Sequence, residues 1–225
     1  MRIAMLMFDK LTQLDLTGPQ EVLGRIPAVE LELVAKTMDP VVSETKLRIL
    51  PTATFADVTQ TDLLFIPGGF GQIAATDDAA TLEWVAMIGA TAKWVTAACT
   101  GSLLLGAAGL LRGYKAATHW AYMDLLPLVG AIPTDERVVV DRNRITSGGV
   151  TAGIDGALQI VTETVGRAVA EAIALNLEYD PQPALPGHPR TADADLVAGI
   201  RERLVRRYEE RRAQLHRAGH QAGRR

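Results

Sequence analysis

The chain has 225 residues, a formal net charge of −3 and a single cysteine. This length allows one sizeable α/β domain, and the charge balance creates no general attraction to nucleic acid. One cysteine excludes an internal disulfide, which fits a reducing compartment. The apolar run at 1–8 is too short for a secretory signal, and no run reaches the roughly 18 apolar residues of a membrane span. We therefore expect a cytoplasmic protein without a membrane or nucleic-acid partner.

Predicted strands and helices alternate along the chain. In order, the patterns predict a buried strand at 3–8, a helix opened by Gly18 and Pro19, a half-exposed strand at 29–35, a buried strand at 62–67, a helix at 79–90, a strand at 94–98, an apolar helix at 103–111, a helical segment at 119–129, a hairpin of 138–140 with 144–146, and one Ala-rich helix at 151–179. This alternation is typical of an α/β fold with a mostly parallel sheet and helices on both faces.

The candidate functional segments all follow predicted strands. Gly68-Gly69 follows the strand at 62–67, Cys99 follows the strand at 94–98, and Gly148-Gly149 follows the hairpin. In open α/β sheets, ligands bind beyond the carboxyl ends of the strands. We therefore expect these three loops to share one rim of the sheet.

Composition divides the chain into three parts. We expect an α/β domain at 1–180, a Pro-rich linker at 181–190, and a C-terminal basic helix and tail at 191–225, with the helix itself at 193–215. Arginines and glutamates alternate along that helix, which favours a solvated helix that packs on the body or on a dimer partner. The alternative, a tail that binds RNA or DNA, is weakened by the mixed charges.

Cys99 lies at a junction where a predicted strand meets a predicted helix. A thiol at a helix N-terminus faces unpaired N–H groups and the positive end of the dipole, which favour a thiolate nucleophile. Lowering a thiol pKa from about 8.5 to roughly 5–6 needs about 4 kcal/mol, and the helix supplies at most about 2 kcal/mol. We therefore expect backbone donors or a protonated acid nearby to contribute. The alternative is that Cys99 is a small buried hydrophobic residue.

Asp15 is the candidate acid. It is flanked by Leu14 and Leu16, just before a predicted helix. If it points into an apolar cleft, burial raises its pKa and keeps it protonated, so that it can hold a thiolate and later deliver a proton. The alternative is an aspartate that caps the helix or closes a turn.

The other candidates carry weaker signals. Glycine pairs at Gly68-Gly69 and Gly148-Gly149 allow backbone N–H groups to approach a ligand, although tight turns without a ligand have the same pattern. His119 is either a base for Cys99 or a histidine satisfied at a helix start or subunit contact. One cysteine and scattered histidines cannot build a zinc site, so we expect no metal. No phosphate-binding loop is visible either.

Five short segments together carry a resemblance to a known family: Asp15-Leu16-Thr17-Gly18-Pro19, Ile66-Pro67-Gly68-Gly69, Cys99-Thr100-Gly101-Ser102, Ala117-Thr118-His119-Trp120 and Thr146-Ser147-Gly148-Gly149. The chain resembles the ThiJ/PfpI superfamily over nearly its whole length, and is most like the isocyanide hydratase branch. The resemblance implies a flavodoxin-like, or Rossmann-like, sandwich that works as a homodimer. It also implies that Cys99 is the nucleophile on a strained elbow and that Asp15 is the acid in contact with its sulfur.

Two departures from the wider superfamily narrow the implied activity. Many relatives have a glutamate at the position of Asp15 and a histidine directly after the cysteine, where this chain has Thr100. Both departures match the hydratase branch and argue against protease, deglycase or glyoxalase activity. The implied reaction converts an isocyanide to an N-substituted formamide through a Cys99 thioimidate, with no cofactor.

The resemblance also assigns supporting roles to residues around Cys99. Asp15 exchanges protons and Thr100 tunes or positions the thiol. The remaining candidates bind the intermediate or the water: Gly69, Gly148, Gly149 and Val150 through backbone N–H groups, and His119 as a minor candidate.

Two other functions remain open. The same motifs resemble the sensor halves of AraC-type regulators, but only about 45 residues follow Asp180, too few for a pair of helix-turn-helix units. A redox-sensing protein that uses oxidation of Cys99 is the third hypothesis.

Overall fold

A central sheet of seven strands organises the molecule. The computed structural model describes residues 1–222. The strands of this part of the chain are β1 (Arg2–Leu6), β2 (Glu30–Ala35), β3 (Val41–Val42), β4 (Arg48–Ile49), β5 (Ala53–Thr54), β6 (Leu63–Ile66), β7 (Trp94–Ala98), β8 (Lys115–Ala116), β9 (Ile132–Pro133), β10 (Val138–Asp141) and β11 (Arg144–Ser147). Strands β3 and β4 form one small separate sheet, and β8 and β9 form another. The α-helices are α1 (Gln13–Leu23), α2 (Gln72–Asp77), α3 (Ala79–Thr91), α4 (Gly101–Ala107), α5 (Ala152–Thr164), α6 (Arg167–Asn176) and α7 (Ala194–Ala222), and a 3₁₀ helix spans Trp120–Val129.

The strand order of the large sheet is β10-β11-β7-β6-β1-β2-β5. Every pairing in it is parallel except that of β10 with β11, which forms the predicted hairpin. Strand β6 is buried along its whole length, as expected for a parallel strand covered on both faces. The flavodoxin-like α/β fold expected from the sequence is therefore confirmed.

The order of the strands creates a switch point between β1 and β6. The chain leaves β1 through α1 toward β2, whereas it leaves β6 through α2 and α3 toward β7, in the opposite direction along the sheet. Because such crossovers are right-handed, α1 and α3 cover opposite faces. A crevice opens beyond the strand ends where the direction reverses. The segments after β1, β6 and β7 meet at this end of the sheet, and they contain Asp15, Gly68 and Cys99.

Several predicted helix bounds were wrong. Helix α1 begins at Gln13, five residues before the predicted opening, so Pro19 lies inside it rather than in its first turn. The Ala-rich segment is two helices, not one, because Gly166 has a φ of +116° and breaks the helix between Thr164 and Arg167. The segment after His119 is a 3₁₀ helix that contains Pro127.

The C-terminal segment folds back onto the body. Residues 181–190 form no helix or strand, and Arg190 makes an ion pair with Asp135 at the surface. Helix α7 then packs on the 3₁₀ helix and on α2 and α4. Its Tyr208 hydroxyl donates a hydrogen bond of 2.6 Å to Asp124. The helix continues to Ala222, beyond its predicted end at residue 215, and the last part of the predicted tail, 223–225, lies outside the described residues. None of the helices within 1–222 is both long and apolar enough to cross a bilayer.

The turn after β7 is tightly packed around Gly101, and a substitution there tests this packing. A Cβ atom at this position would lie 2.2 Å from the carbonyl oxygen of Ile66 and 2.7 Å from that of Pro67. We expect Gly101→Ala to lower the free energy of unfolding by about 3 kcal/mol, because backbone must move to make room. Urea unfolding measures this loss. Gly199→Ala is the control, since that site on α7 is open and alanine favours a helix by about 1 kcal/mol. Equal stabilities of the two variants would contradict the packing described here.

Candidate active site

Cys99 occupies a strained elbow between β7 and α4. Its φ is +54°, a left-handed conformation that costs a non-glycine residue about 1–2 kcal/mol. Three hydrogen bonds hold it there. The Cys99 N–H is shared between the carbonyls of Ser147 at 3.1 Å and Gly148 at 2.9 Å, and the Thr118 hydroxyl donates to the Cys99 carbonyl at 2.8 Å.

Asp15 meets the sulfur of Cys99 from helix α1. Its side chain is fully buried, and its Oδ2 atom accepts a hydrogen bond of 3.2 Å from the N–H of Gly68. The carboxyl also interacts with the Cys99 thiol, whose sulfur faces the backbone N–H of Thr100. A Cβ atom on Gly68 would lie 2.8 Å from Cys99 Cβ and 2.9 Å from Asp15 Oδ2. A residue without a side chain is therefore required for this contact.

Burial dominates the charge state of the Asp15–Cys99 pair. Loss of solvation, assisted by the charge of Glu44, raises the pKa of Asp15 to about 7 although hydrogen bonds from Cys99 and Gly68 lower it. Burial and the Asp15 charge raise the pKa of the Cys99 thiol well above its ordinary range. The expected thiol of lowered pKa is therefore wrong for the resting site, because one helix end cannot offset the loss of water. The two groups together retain a proton at neutral pH.

Thr100 fixes the loop after β6. Its hydroxyl accepts from the N–H of Gly69 at 3.0 Å and lies 3.2 Å from the carbonyl of the same residue. The Gly69 N–H is therefore already occupied, which corrects the expectation that it faces a substrate. The hydroxyl of Thr100 bonds this loop, whereas its backbone N–H bonds the sulfur of Cys99.

The loop at 148–150 offers free donors on the other side of the elbow. Both backbone polar groups of Gly148 have partners. Its carbonyl accepts from the Cys99 N–H, and its own N–H donates to the backbone carbonyl of Arg137 at 3.0 Å. Within 1–222, the N–H groups of Gly149 and Val150 donate to no protein acceptor. Neutral donors of this kind suit a polar intermediate or a water molecule.

His119 lies beside this loop without bonding to the thiol. A Cβ atom on Gly149 would be 3.3 Å from His119 Cδ2. The Nδ1 atom accepts from the Ala121 N–H at 3.3 Å, so the residue caps the 3₁₀ helix. Burial and the charge of Arg211 lower its pKa to about 4. His119 is therefore neutral at pH 7 and a poor proton acceptor.

Sequence reasoning missed a charged residue at this site. Arg211 of α7 is 1% exposed and contacts Gly69 in the loop after β6, Gln72 at the start of α2 and Tyr122 on the 3₁₀ helix. One signal was available. Position 211 falls in the helical stripe that contains Leu204, Tyr208 and Leu215, a face on which an arginine is out of place. In the described part of the chain, no group of three or more His, Cys, Asp or Glu side chains has the arrangement of a metal site.

A family model of the DJ-1/PfpI family matches residues 1–163, which include the elbow, the acid and both glycine loops. The chain belongs to the DJ-1/PfpI family. This DJ-1/PfpI chain is 48% identical to an isonitrile hydratase of Pseudomonas putida over 206 residues, 91% of this chain and 90% of that protein. It is also 33% identical to the HTH-type transcriptional regulator GbdR of Pseudomonas aeruginosa, over 60% of this chain and 37% of the regulator.

Solved structures of the DJ-1/PfpI family support the same fold. A ThiJ/PfpI family protein from Pseudomonas syringae superposes with a TM-score of 0.93 at 45% identity, over 95% of this chain and 90% of that one. Oxidised DJ-1 of Toxoplasma gondii superposes with a TM-score of 0.72 at 22% identity, over 80% of this chain and 99% of that one. The second likeness concerns the fold alone.

The buried carboxyl of Asp15 predicts an unusual dependence of stability on pH. Its pKa rises from 3.8 in the unfolded chain to about 7 in the folded one. Between these values the unfolded chain has lost the proton and the folded protein still holds it, so stability falls as pH rises. Because an asparagine side chain does not ionise, the Asp15→Asn variant does not lose stability in this way as pH rises. We expect its stability relative to wild type to improve by roughly 2–4 kcal/mol between about pH 4 and pH 8.

Urea unfolding at several pH values measures this difference. Asp39→Asn, which removes an exposed carboxyl, is the matched control for the loss of a charge. A stability difference between Asp15→Asn and wild type that stays constant with pH would show that Asp15 ionises as an ordinary aspartate.

Proposed function

We propose that this protein is a cysteine-dependent hydratase that adds water to an isocyanide, R–N≡C, and releases an N-substituted formamide. The observation that carries the proposal is the buried contact between Asp15 and Cys99 on the strained elbow. The 48% identity to an isonitrile hydratase, which spans 90% of that protein, supports the substrate class. We also propose that the protein is cytoplasmic, acts as a homodimer and needs no cofactor.

In the first half of the reaction, a proton and a thiol add to the same carbon. The terminal carbon of an isocyanide carries a lone pair and accepts a proton, after which it is open to attack by sulfur. The Cys99 S–H bond breaks, Asp15 carries the proton to the carbon, and the sulfur bonds to that carbon. The product is a thioimidate, R–N=CH–S–Cys99. A pair that holds one proton supplies all that this step consumes.

In the second half, water hydrolyses the thioimidate. Asp15 takes a proton from water as the oxygen bonds to the carbon and passes that same proton to the nitrogen, giving R–NH–CH(OH)–S–Cys99. The carbon–sulfur bond then breaks, the hydroxyl proton returns to the sulfur through Asp15, and R–NH–CHO leaves. The free N–H groups of Gly149 and Val150 are the donors suited to hold the water or the polar intermediate. Thr100 positions the sulfur through its backbone N–H.

A sensor function is the second candidate, because HTH-type regulators also match the chain. GbdR aligns with 141 residues, which are 37% of the regulator. CdhR of Pseudomonas aeruginosa aligns with 135 residues, which are 39% of that regulator. The match to the hydratase instead runs through 91% of this chain at higher identity. We therefore favour the enzyme.

Turnover of a simple alkyl isocyanide tests the proposed function. We expect Cys99→Ala to lose activity by at least about 10⁴-fold, because no covalent intermediate can form. Asp15→Asn keeps the size and the Gly68 hydrogen bond but cannot carry a proton, so we expect a loss of about 10²–10⁴-fold. Formamide appearance is followed by NMR, with Asp39→Asn as the control. Conversion by Cys99→Ala at the wild-type rate would exclude the mechanism.

Mass spectrometry under turnover separates the enzyme from the sensor. We expect the wild-type protein to gain the mass of one isocyanide during turnover and to lose it once substrate is exhausted. Gain of oxygen atoms alone, with no conversion of isocyanide, would instead indicate a redox sensor.

A further inference from the structure

Helix α7 brings one arginine into the interior beside the reactive cysteine. The Arg211 side chain donates from Nε to Gln72 Oε1 at 2.9 Å and from Nη2 to the carbonyl of Gly69 at 2.8 Å. Its guanidinium carbon lies 4.4 Å from the centre of the Tyr122 ring. Gly69 follows Gly68, which bonds Asp15, so the guanidinium is attached to the same loop that holds the acid.

The Arg211 guanidinium forms no ion pair with a carboxylate of the described residues. Among the described residues, no Asp or Glu oxygen lies within ion-pair distance of its guanidinium, and its buried Nη1 atom has no hydrogen-bond partner. The neighbouring arginine on the same face, Arg207, stacks on Phe70 instead. A buried cation without a nearby negative charge is costly, and mutants that create one are strongly destabilised. The fold therefore needs an anion close to Arg211.

The groups around the site leave one candidate for that anion. His119 is neutral at pH 7, and burial raises the pKa of Tyr122, so its phenol stays protonated. Glu44 faces Asp15 and binds the hydroxyl of Thr12 at 2.9 Å. Glu210 directly precedes Arg211 and its charge interacts with that of Arg211, but it is exposed and pairs with Arg206 at 3.8 Å. Of the remaining acidic groups whose charge interacts with that of Arg211, Cys99 is the buried one, and Asp15 lies against Cys99.

We propose that Arg211 is the counter-ion of the Asp15–Cys99 pair, so that the C-terminal helix supplies the charge that keeps this pair singly negative. Above about pH 7, where the pair has lost its first proton and holds one, its negative charge and the charge of Arg211 cancel. Arg211 is then a positioning residue: it acts through the pair and the Gly69 loop. The proposal does not depend on the identity of the substrate, because it concerns the charge of the resting pair.

The pH profile of Cys99 alkylation by iodoacetamide tests this inference. Cys99 is the sole cysteine of the sequence, so the reaction reports one sulfur, and Cys99→Ala gives the blank. Removing a unit charge several ångströms away moves an ionisation by about one to two pH units. We expect Arg211→Met to shift the midpoint of the rate profile upward by that amount. At pH 7 it should lower the alkylation rate about tenfold or more.

Three further variants separate charge from packing. Arg211→Lys keeps the charge and should restore most of the wild-type profile. Arg211→Gln keeps a hydrogen-bond donor without the charge, and should behave as Arg211→Met does; it also replaces that variant if the latter does not fold. Arg203→Met removes an exposed arginine of the same helix and should match wild type.

Two results would overturn the inference. One is a midpoint of the alkylation profile in Arg211→Gln that stays within about 0.3 pH units of the wild-type midpoint. Such a shift is too small for the loss of a neighbouring unit charge. The other is an equal shift in Arg211→Lys and Arg211→Gln, because the effect would then follow side-chain shape rather than charge. A failure of the hydratase proposal appears separately, as absence of formamide with an unchanged alkylation profile.

Discussion

The contact between a buried carboxyl and a buried thiol is the constraint on which the rest of this structure depends. Two acidic groups that lose solvation together cannot both ionise cheaply, so they share a proton. Three features of the fold maintain that contact: the left-handed backbone conformation of Cys99, the absence of a side chain at Gly68, and a backbone N–H group that faces each of the two acidic groups. The strain of the elbow and the cost of burial are offset by the parallel sheet around them.

The topology explains why these groups meet. Asp15 follows β1, Gly68 follows β6 and Cys99 follows β7, and these strands are neighbours at the point where the crossovers reverse direction. The same rim receives Gly148 from β11, whose carbonyl binds the elbow. A chemistry that needs a nucleophile, a proton carrier and free N–H groups in one small volume is well matched to such a switch point.

Much of this arrangement was predictable from the sequence because it is encoded locally. The run at 94–98 and the hairpin around Arg142 have clear patterns, and both form the elements expected. The motifs around Asp15 and Cys99 were sufficient to predict the family, which the comparisons confirm. The bounds of α1 and the break at Gly166 were predicted less well, since tertiary packing decides whether a helix passes through Pro19 or stops at a glycine.

The charge of the Asp15–Cys99 pair and the role of the C-terminal helix could not be predicted from local sequence patterns. The expectation of a low thiol pKa rested on the helix end, whereas burial, which depends on the whole fold, determines the direction. The glutamates and arginines of α7 were expected to be solvated. Docking on the 3₁₀ helix instead buries Arg211, more than a hundred residues from Cys99 in sequence.

The most direct test of the shared proton is an NMR titration that follows both partners. The ¹³Cβ signal of Cys99 and the ¹³Cγ signal of Asp15 are recorded against pH in the wild-type protein and in Asp15→Asn. The account predicts one common step near pH 7 in both signals, and its loss from Cys99 when Asp15 is replaced. Ionisation of Asp15 alone near 3.8, with an independent step for Cys99 that Asp15→Asn leaves in place, would contradict it.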